Sequence, residues 1–220
     1  MISLAAALIY STLTTRVEDT VTVTASEDVW VYANAPDPAS DETFKVWGVG
    51  GKAVAPSPTE AESFGYGYLK FELPAVPEGK KLVGAWMVLK PAGSMKVDVN
   101  AKDYPLEARP LVGTFSEKSW TYDMSAKVFP GDSIYGKGLV ALVEGSTDAN
   151  NLEIRINLLD NKDNLFGVNL DKATKAKASM YFALTSKYDA SELGREGIYR
   201  IYTKDRKEGD VKPKIVVKYE

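Results

Sequence analysis

The sequence predicts an all-β fold, an antiparallel β-sandwich of the jelly-roll type with an additional strand at its N-terminus. Short runs rich in Val, Ile, Tyr and Phe recur along the 220 residues, and several alternate apolar with polar positions as half-buried strands do. Clusters of Pro, Gly, Asn and Asp separate these runs. No segment shows a convincing amphipathic helix. About ten short strands without helices are typical of a sandwich or jelly roll.

The first strand shows the pattern most clearly. Val17, Val21 and Val23 fall on one face, and threonines occupy much of the other. The predicted strands cover residues 17–24, 28–32, 43–49, 66–73, 82–89, 95–101, 138–143, 152–159, 179–185, 197–204 and 214–219. Turn-forming residues follow at 34–38, 50–51, 74–79, 91–93, 130–132, 150–151 and 160–164.

These strands are expected to form one domain. No repeat or low-complexity linker divides the chain, and residues 54–63 are expected to be a surface loop. The predicted sandwich therefore covers residues 27–220. Residues 1–26 form an N-terminal extension, which is a candidate donor strand for another copy of the protein.

The extension begins with an apolar run over residues 2–13, which is too short to span a bilayer as a helix. It lacks the preceding basic residues of a secretory signal. An apolar strand of this kind can complete an open sheet edge of a neighbouring subunit. Its predicted contact residues are Ile2, Leu4, Leu8, Ile9, Tyr10 and Leu13. A retained signal or membrane anchor, an ordinary intrachain strand and a short helix at residues 5–7 remain alternatives.

The composition excludes several function classes. The chain has no His, Cys or Gln, which removes imidazole bases, thiol nucleophiles, disulfides and their metal sites. The net charge of −3 gives no basic excess for nucleic-acid binding. We therefore predict a non-catalytic protein without nucleic-acid partners. The lack of Cys and Gln beside plentiful Lys, Glu and Tyr also fits a thermophilic source.

Four motifs occur in a familiar order. They are Leu-Lys-Phe-Glu-Leu at 69–73, Ala-x-Met-x-Leu at 85–89, Phe-Ser-Glu with Thr-Tyr within 115–122, and Pro-Lys-Ile-Val-Val at 213–217. This order resembles the DNRLRE-type domains, also classed as family 96 carbohydrate-binding modules. Phe115 and Tyr122 stand where that family prefers Trp, and residues 1–26 have no counterpart.

The resemblance implies a jelly-roll-like sandwich that is secreted or surface-exposed and has no catalytic activity. Some members of the family bind acidic polysaccharide, and others form part of large cell-surface proteins. An acidic-glycan site requires exposed aromatic rings for stacking and cations for the carboxylates. The candidates by residue type are Trp47, Lys70, Trp120, Tyr122, Arg200 and Lys204. The alternative is that the aromatic residues belong to the core and the lysines to exposed faces.

No cofactor is expected from the sequence, although calcium has two candidate sites. Asp160, Asp163 and Asn164 form one group of oxygen ligands, and Asp37 and Asp41 form the other. Neither group has the spacing of an EF-hand loop, so a solvated hairpin tip is the competing interpretation.

The predicted function is that of an extracellular structural protein, a subunit of a self-assembling surface filament. In this hypothesis the N-terminal segment of one copy enters the sandwich of the next, and the repeated contact builds a homopolymer. The alternative is a secreted carbohydrate-binding module that recognises acidic polysaccharide. No membrane-spanning segment is expected.

Overall fold

The computed structural model describes residues 19–32, 41–48, 64–93, 103–127, 132–208 and 210–220. It confirms the predicted all-β sandwich, because antiparallel sheets pack against each other around a shared core. The donor segment at residues 2–13, the predicted strand at 95–101, Asp37 and the loop at 54–63 lie outside the described residues.

Two five-stranded sheets and one two-stranded sheet make up the fold. Sheet A has the order β1 (Asp19–Thr24), β12 (Lys214–Tyr219), β5 (Leu82–Leu89), β9 (Leu152–Asn157) and β8 (Val140–Leu142). Sheet B has the order β2 (Glu27–Val31), β4 (Tyr66–Phe71), β10 (Met180–Thr185), β6 (Leu106–Pro110) and β7 (Gly136–Gly138). The small sheet pairs β3 (Thr43–Val46) with β11 (Tyr199–Tyr202).

Alternate residues of both sheets form the main core. On β5, Ala85, Met87 and Leu89 are fully buried, whereas Trp86 between them points to the other face of sheet A. Other core residues are Leu69, Phe71, Leu106, Ile154, Ile156, Phe182, Leu184, Ile215 and Val217. The period-two burial explains why the hydrophobic pattern of the sequence predicts these strands.

The chain passes directly from one sheet to the other on two occasions. Only Ala25 and Ser26 separate β1 of sheet A from β2 of sheet B, and only Leu139 separates β7 of sheet B from β8 of sheet A. At the second crossing β7 lies close against β9, where a Cβ atom at Gly136 would stand 1.9 Å from the carbonyl oxygen of Asn157. Glycine is therefore required there, and the two sheets are tied together at both crossings.

Strand β1 lies within the range that the sequence assigns to the extension. Its residues pair antiparallel with β12 of the same chain, from Asp19 opposite Tyr219 to Thr24 opposite Lys214. Residues 19–24 are therefore an edge strand of the chain's own sandwich.

The helix α2 (Leu165–Lys175) corrects the expectation that the chain has no amphipathic helix. Phe166 and Leu170 are its buried residues and join the main core, so its apolar stripe is too narrow to stand out in the sequence. The helices α1 (Tyr122–Lys127) and α3 (Ala190–Leu193) are short.

Candidate functional site

The outer face of sheet B is covered by a second aromatic core. Val29, Val31, Tyr66, Tyr68 and Ala183 of three neighbouring strands point away from the main core. Residues 111–125 lie over them, and we call this segment the strap. Its buried residues are Leu111, Phe115 and Trp120, and Phe64 lies in the same cluster.

Tyr68 is the centre of the contacts beneath the strap. Its ring meets the ring of Trp120 edge-on at a centroid distance of 5.3 Å and that of Phe115 at 5.9 Å. Its hydroxyl forms a hydrogen bond with the Ser125 hydroxyl. Because this face is occupied by the protein's own side chains, its aromatic residues serve packing.

The outer face of sheet A differs, since many of its side chains are in contact with solvent. Thr20, Thr22 and Thr24 of β1 are exposed, and the side chain of Arg155 on β9 is 40% exposed. Trp86 lies at the middle strand of this face and is partly exposed.

Trp86 lies flat on the sheet above Gly84. A Cβ atom at position 84 would stand 2.2 Å from the six-membered ring of the indole, so only glycine allows the ring this close to the backbone. The guanidinium carbon of Arg155 lies 4.8 Å from the ring centroid, and the ammonium nitrogen of Lys218 lies 5.8 Å from it. A flat indole with two cations beside it combines the groups that recognise an acidic sugar. Trp86 is not among the residues predicted from the sequence, where its one signal is the Gly-x-Trp spacing with Gly84 on the same strand face.

The aromatic residues predicted for glycan contact occupy other places. Trp47 has no exposed surface and packs in the main core, so the prediction that it stacks on a sugar is wrong. Trp120 is only 8% exposed beneath the strap, and Tyr122 packs its ring on Phe64 at 4.7 Å. These residues do not form one accessible aromatic platform.

Two of the predicted cations, Lys70 and Lys204, belong to one ion-pair network through Glu27 and Glu117. Lys70 forms an ion pair with Glu27 at 2.8 Å, and this hydrogen bond raises the pKa of Lys70 and lowers the pKa of Glu27. Lys204 pairs with Glu117 at 2.9 Å and with Asp205 at 2.8 Å. Arg200 is exposed on β11 of the small sheet.

Among the described residues, no three Asp or Glu side chains stand close enough together to hold a metal ion. Asp160 and Asp163 line a cavity of about 340 Å³. Asn164 adopts a left-handed conformation directly before α2, and Asp41 accepts a hydrogen bond from the Trp30 indole at 2.8 Å. These contacts account for the local structure.

The second feature of sheet A is its edge at β1. Val21 and Val23 face the main core but remain partly exposed, whereas the inward residues of the central strand β5 are fully buried. Strand β12 pairs with one side of β1, and no described residue forms a ladder with the other side. An edge strand of this kind presents free backbone groups and an incompletely covered apolar row.

The sequence matches no protein-family model and no curated protein. The resemblance to DNRLRE-type domains thus depends on the four motifs alone. No helix among the described residues has the length and apolar character needed to cross a bilayer.

Proposed function

We propose that the protein is an extracellular structural subunit that assembles with copies of itself by strand addition at the edge of sheet A. The observation that carries the proposal is the β1 edge, whose outer backbone side pairs with no described strand and whose Val21 and Val23 are partly exposed. A strand from a neighbouring copy would satisfy the backbone groups and cover both valines.

The apolar run at residues 2–13 is the strand we assign to this role. It ends only a few residues before β1 in the sequence, and it contains no charged residue. A segment donated from each copy to the next makes a head-to-tail contact, and repetition of such a contact produces a filament unless the geometry closes a ring.

Deletion of residues 1–15 tests the proposal. The full-length protein should form assemblies visible by electron microscopy and by light scattering after size-exclusion chromatography. The shortened protein should remain a monomer with the same circular dichroism spectrum. The proposal fails if the full-length protein stays monomeric at high concentration, or if the shortened protein assembles equally well.

The open face of sheet A supports a second candidate function, binding of acidic polysaccharide. The supporting observation is the flat indole of Trp86 with Arg155 and Lys218 beside it. The ring and the guanidinium over it offer a planar surface to a sugar, and the two cations suit uronate carboxylates.

Affinity electrophoresis in gels that contain a polyuronate tests this candidate. Trp86→Ala and the double variant Arg155→Ala/Lys218→Ala should abolish retardation, while Lys175→Ala on exposed α2 should not alter it. A neutral polysaccharide should retard none of the proteins. Equal retardation of the wild type and Trp86→Ala would refute the assignment. Because Trp86 lies away from the β1 edge, this experiment leaves the assembly proposal to its own test.

A further inference from the structure

The outer face of sheet A continues beyond the end of β5. Residues 90–92 pair with β11 of the small sheet through backbone hydrogen bonds, with nitrogen–oxygen distances of 2.9 and 3.0 Å. A β-bridge between Pro91 and Ile201 lies between these bonds. The small sheet, in which β11 pairs with β3, therefore extends the face on which Trp86 lies.

The alternation of side chains places three residues of the small sheet on this outer face. The inward residues of β3 and β11 join the main core, as the inward residues of β5 do; they are Phe44, Val46, Tyr199 and Ile201. Successive side chains of a strand point to opposite faces. Lys45, Arg200 and Tyr202 consequently point outward, and Arg200 is exposed.

Two of these outward residues carry the same charge at the same position of the ladder. Lys45 of β3 pairs directly with Arg200 of β11, which sets their Cβ atoms about 5 Å apart. Neither side chain forms an ion pair with a residue that the structure describes. The Lys45 ammonium lies 5.7 Å from the centroid of the Trp30 ring, which leaves its charge uncompensated. Like charges directly opposite each other destabilise a sheet.

Two carboxylates beside the small sheet pair with another cation. Glu42, the residue before β3, and Glu208 both form ion pairs with Arg206. The Arg206 guanidinium carbon lies 5.2 Å from the centroid of the outward Tyr202 ring. The charges of the Lys45–Arg200 pair therefore remain available to an anion from outside the chain.

Lys90 lies between the Trp86 ring and this pair of cations. It shares the strand face of Trp86, and its ammonium donates to two uncharged oxygens, each at 3.2 Å. Residue 92, which is hydrogen-bonded to Arg200, follows Trp86 by six positions, or about 20 Å of extended strand. The cations thus form a row that runs along β5 from the indole to the small sheet.

We infer that an acidic polysaccharide bound at Trp86 extends along β5 onto the small sheet, where one of its carboxylates binds between Lys45 and Arg200. An anion in this position pairs with both cations and offsets their repulsion. The inference rests on the second candidate function proposed above and adds a length requirement to it. A ligand too short to reach from Trp86 to Arg200 gains nothing from the small sheet.

Titration calorimetry with a uronate disaccharide and with a long oligomer of the same uronate tests the inference. In Lys45→Ala/Arg200→Ala the affinity for the long oligomer should fall by about fivefold, because two charge contacts are lost. The affinity for the disaccharide should equal that of the wild type. Lys172→Ala/Lys175→Ala, which removes two exposed cations from α2, is the matched control and should bind both ligands as the wild type does.

Arg200→Glu provides a variant in which binding and stability change in opposite directions. A carboxylate opposite Lys45 replaces repulsion with attraction, so the melting temperature should rise by about 1–3 °C. The affinity for the long oligomer should fall at least as far as in the double alanine variant. A lower melting temperature would contradict the repulsion on which the inference depends.

Trp86→Ala separates this inference from the candidate function, because it should abolish the binding of both ligands. If the wild type binds neither ligand, or if Trp86→Ala binds both as the wild type does, the candidate function fails and the inference fails with it. The inference alone is overturned if Trp86→Ala loses both ligands while Lys45→Ala/Arg200→Ala keeps the wild-type affinity for the long oligomer. It is also overturned if the double variant loses affinity for the disaccharide by the same factor.

Discussion

Trp86 and Trp120 both lie outside the main core, yet they lie in opposite surroundings. Trp120 is 8% exposed beneath the protein's own strap, against Tyr68 and Phe115. Trp86 is partly exposed, with Arg155 and Lys218 beside its ring. The difference indicates that the outer face of sheet B contributes to stability and that the outer face of sheet A is available to a ligand.

The largest difference between the two faces is expected in stability. Trp120→Ala should lower the free energy of unfolding by about 4 kcal/mol, because it leaves a cavity beneath the strap. Trp86→Ala should cost only about 1–2 kcal/mol, because a partly exposed ring loses less burial. Urea unfolding followed by circular dichroism measures both. Equal losses of unfolding free energy in Trp120→Ala and Trp86→Ala would contradict the expected difference between the two faces.

The second test concerns the pH dependence of stability, which should come from the buried Asp28 on the edge strand β2 of sheet B. Asp28→Asn should be more stable than the wild type at pH 8 by roughly 2–4 kcal/mol, because the wild type must ionise a buried carboxyl whose pKa is raised to about 7. The gain should disappear as the pH falls toward 4, where the carboxyl is protonated in the folded and the unfolded protein alike. Urea unfolding at several pH values measures it. A gain that is independent of pH would show that ionisation of Asp28 does not destabilise the folded protein.

A smaller effect is expected from Gly84→Ala on sheet A. The added Cβ would meet the Trp86 ring, which must then lift from the sheet at a cost of about 1–3 kcal/mol. Acrylamide should quench the displaced indole more strongly than in the wild type. Gly93→Ala provides a control, since nothing lies within 4 Å of the added atom, although its positive φ disfavours any side chain. Unchanged quenching in Gly84→Ala would show that the ring does not depend on this contact.

The smallest effect on stability is expected for Arg155→Ala. Its ion pair with Glu153 is long, at 4.0 Å, and its side chain is 40% exposed, so the loss should be below about 1 kcal/mol. Thermal unfolding measures this loss, and polyuronate binding should fall in the same variant. A large loss of stability together with unchanged binding would make Arg155 a structural residue.

The fold could be predicted from the sequence where one face of a strand is buried. Strand β5, with alternate core residues, follows the expected pattern. Strand β6 was not predicted. Glu107 and Arg109 occupy alternate positions in it, and charged side chains are usually exposed to solvent. In the structure they are 3% and 6% exposed, and the Arg109 guanidinium donates to Glu107 and Thr185. Glu107 and Arg109 are local partners, but their burial also depends on Thr185 of β10, which the sequence around β6 does not reveal.

The candidate site was harder to predict, because it depends on which strands are neighbours. Trp47 and Trp86 both stand in apolar strands, and apart from the Gly-x-Trp spacing at 84–86 nothing local distinguishes the buried ring from the partly exposed one. The cations beside Trp86 come from β9 and β12, which become neighbours of β5 only in the folded sheet. The donor role of residues 2–13 stays a prediction.

The pairing of β1 with β12 gives the domain a preferred direction of mechanical resistance. Six residue pairs join the two strands, and Asp19 lies opposite Tyr219 near the end of the chain. A pulling force applied at Asp19 along the axis of β1 acts on all six residue pairs at the same time. A tension between Asp19 and Glu220 would separate the pairs one after another and needs less force. A neighbour that holds the residues before β1, and pulls along that strand, therefore loads the sandwich in its stronger direction.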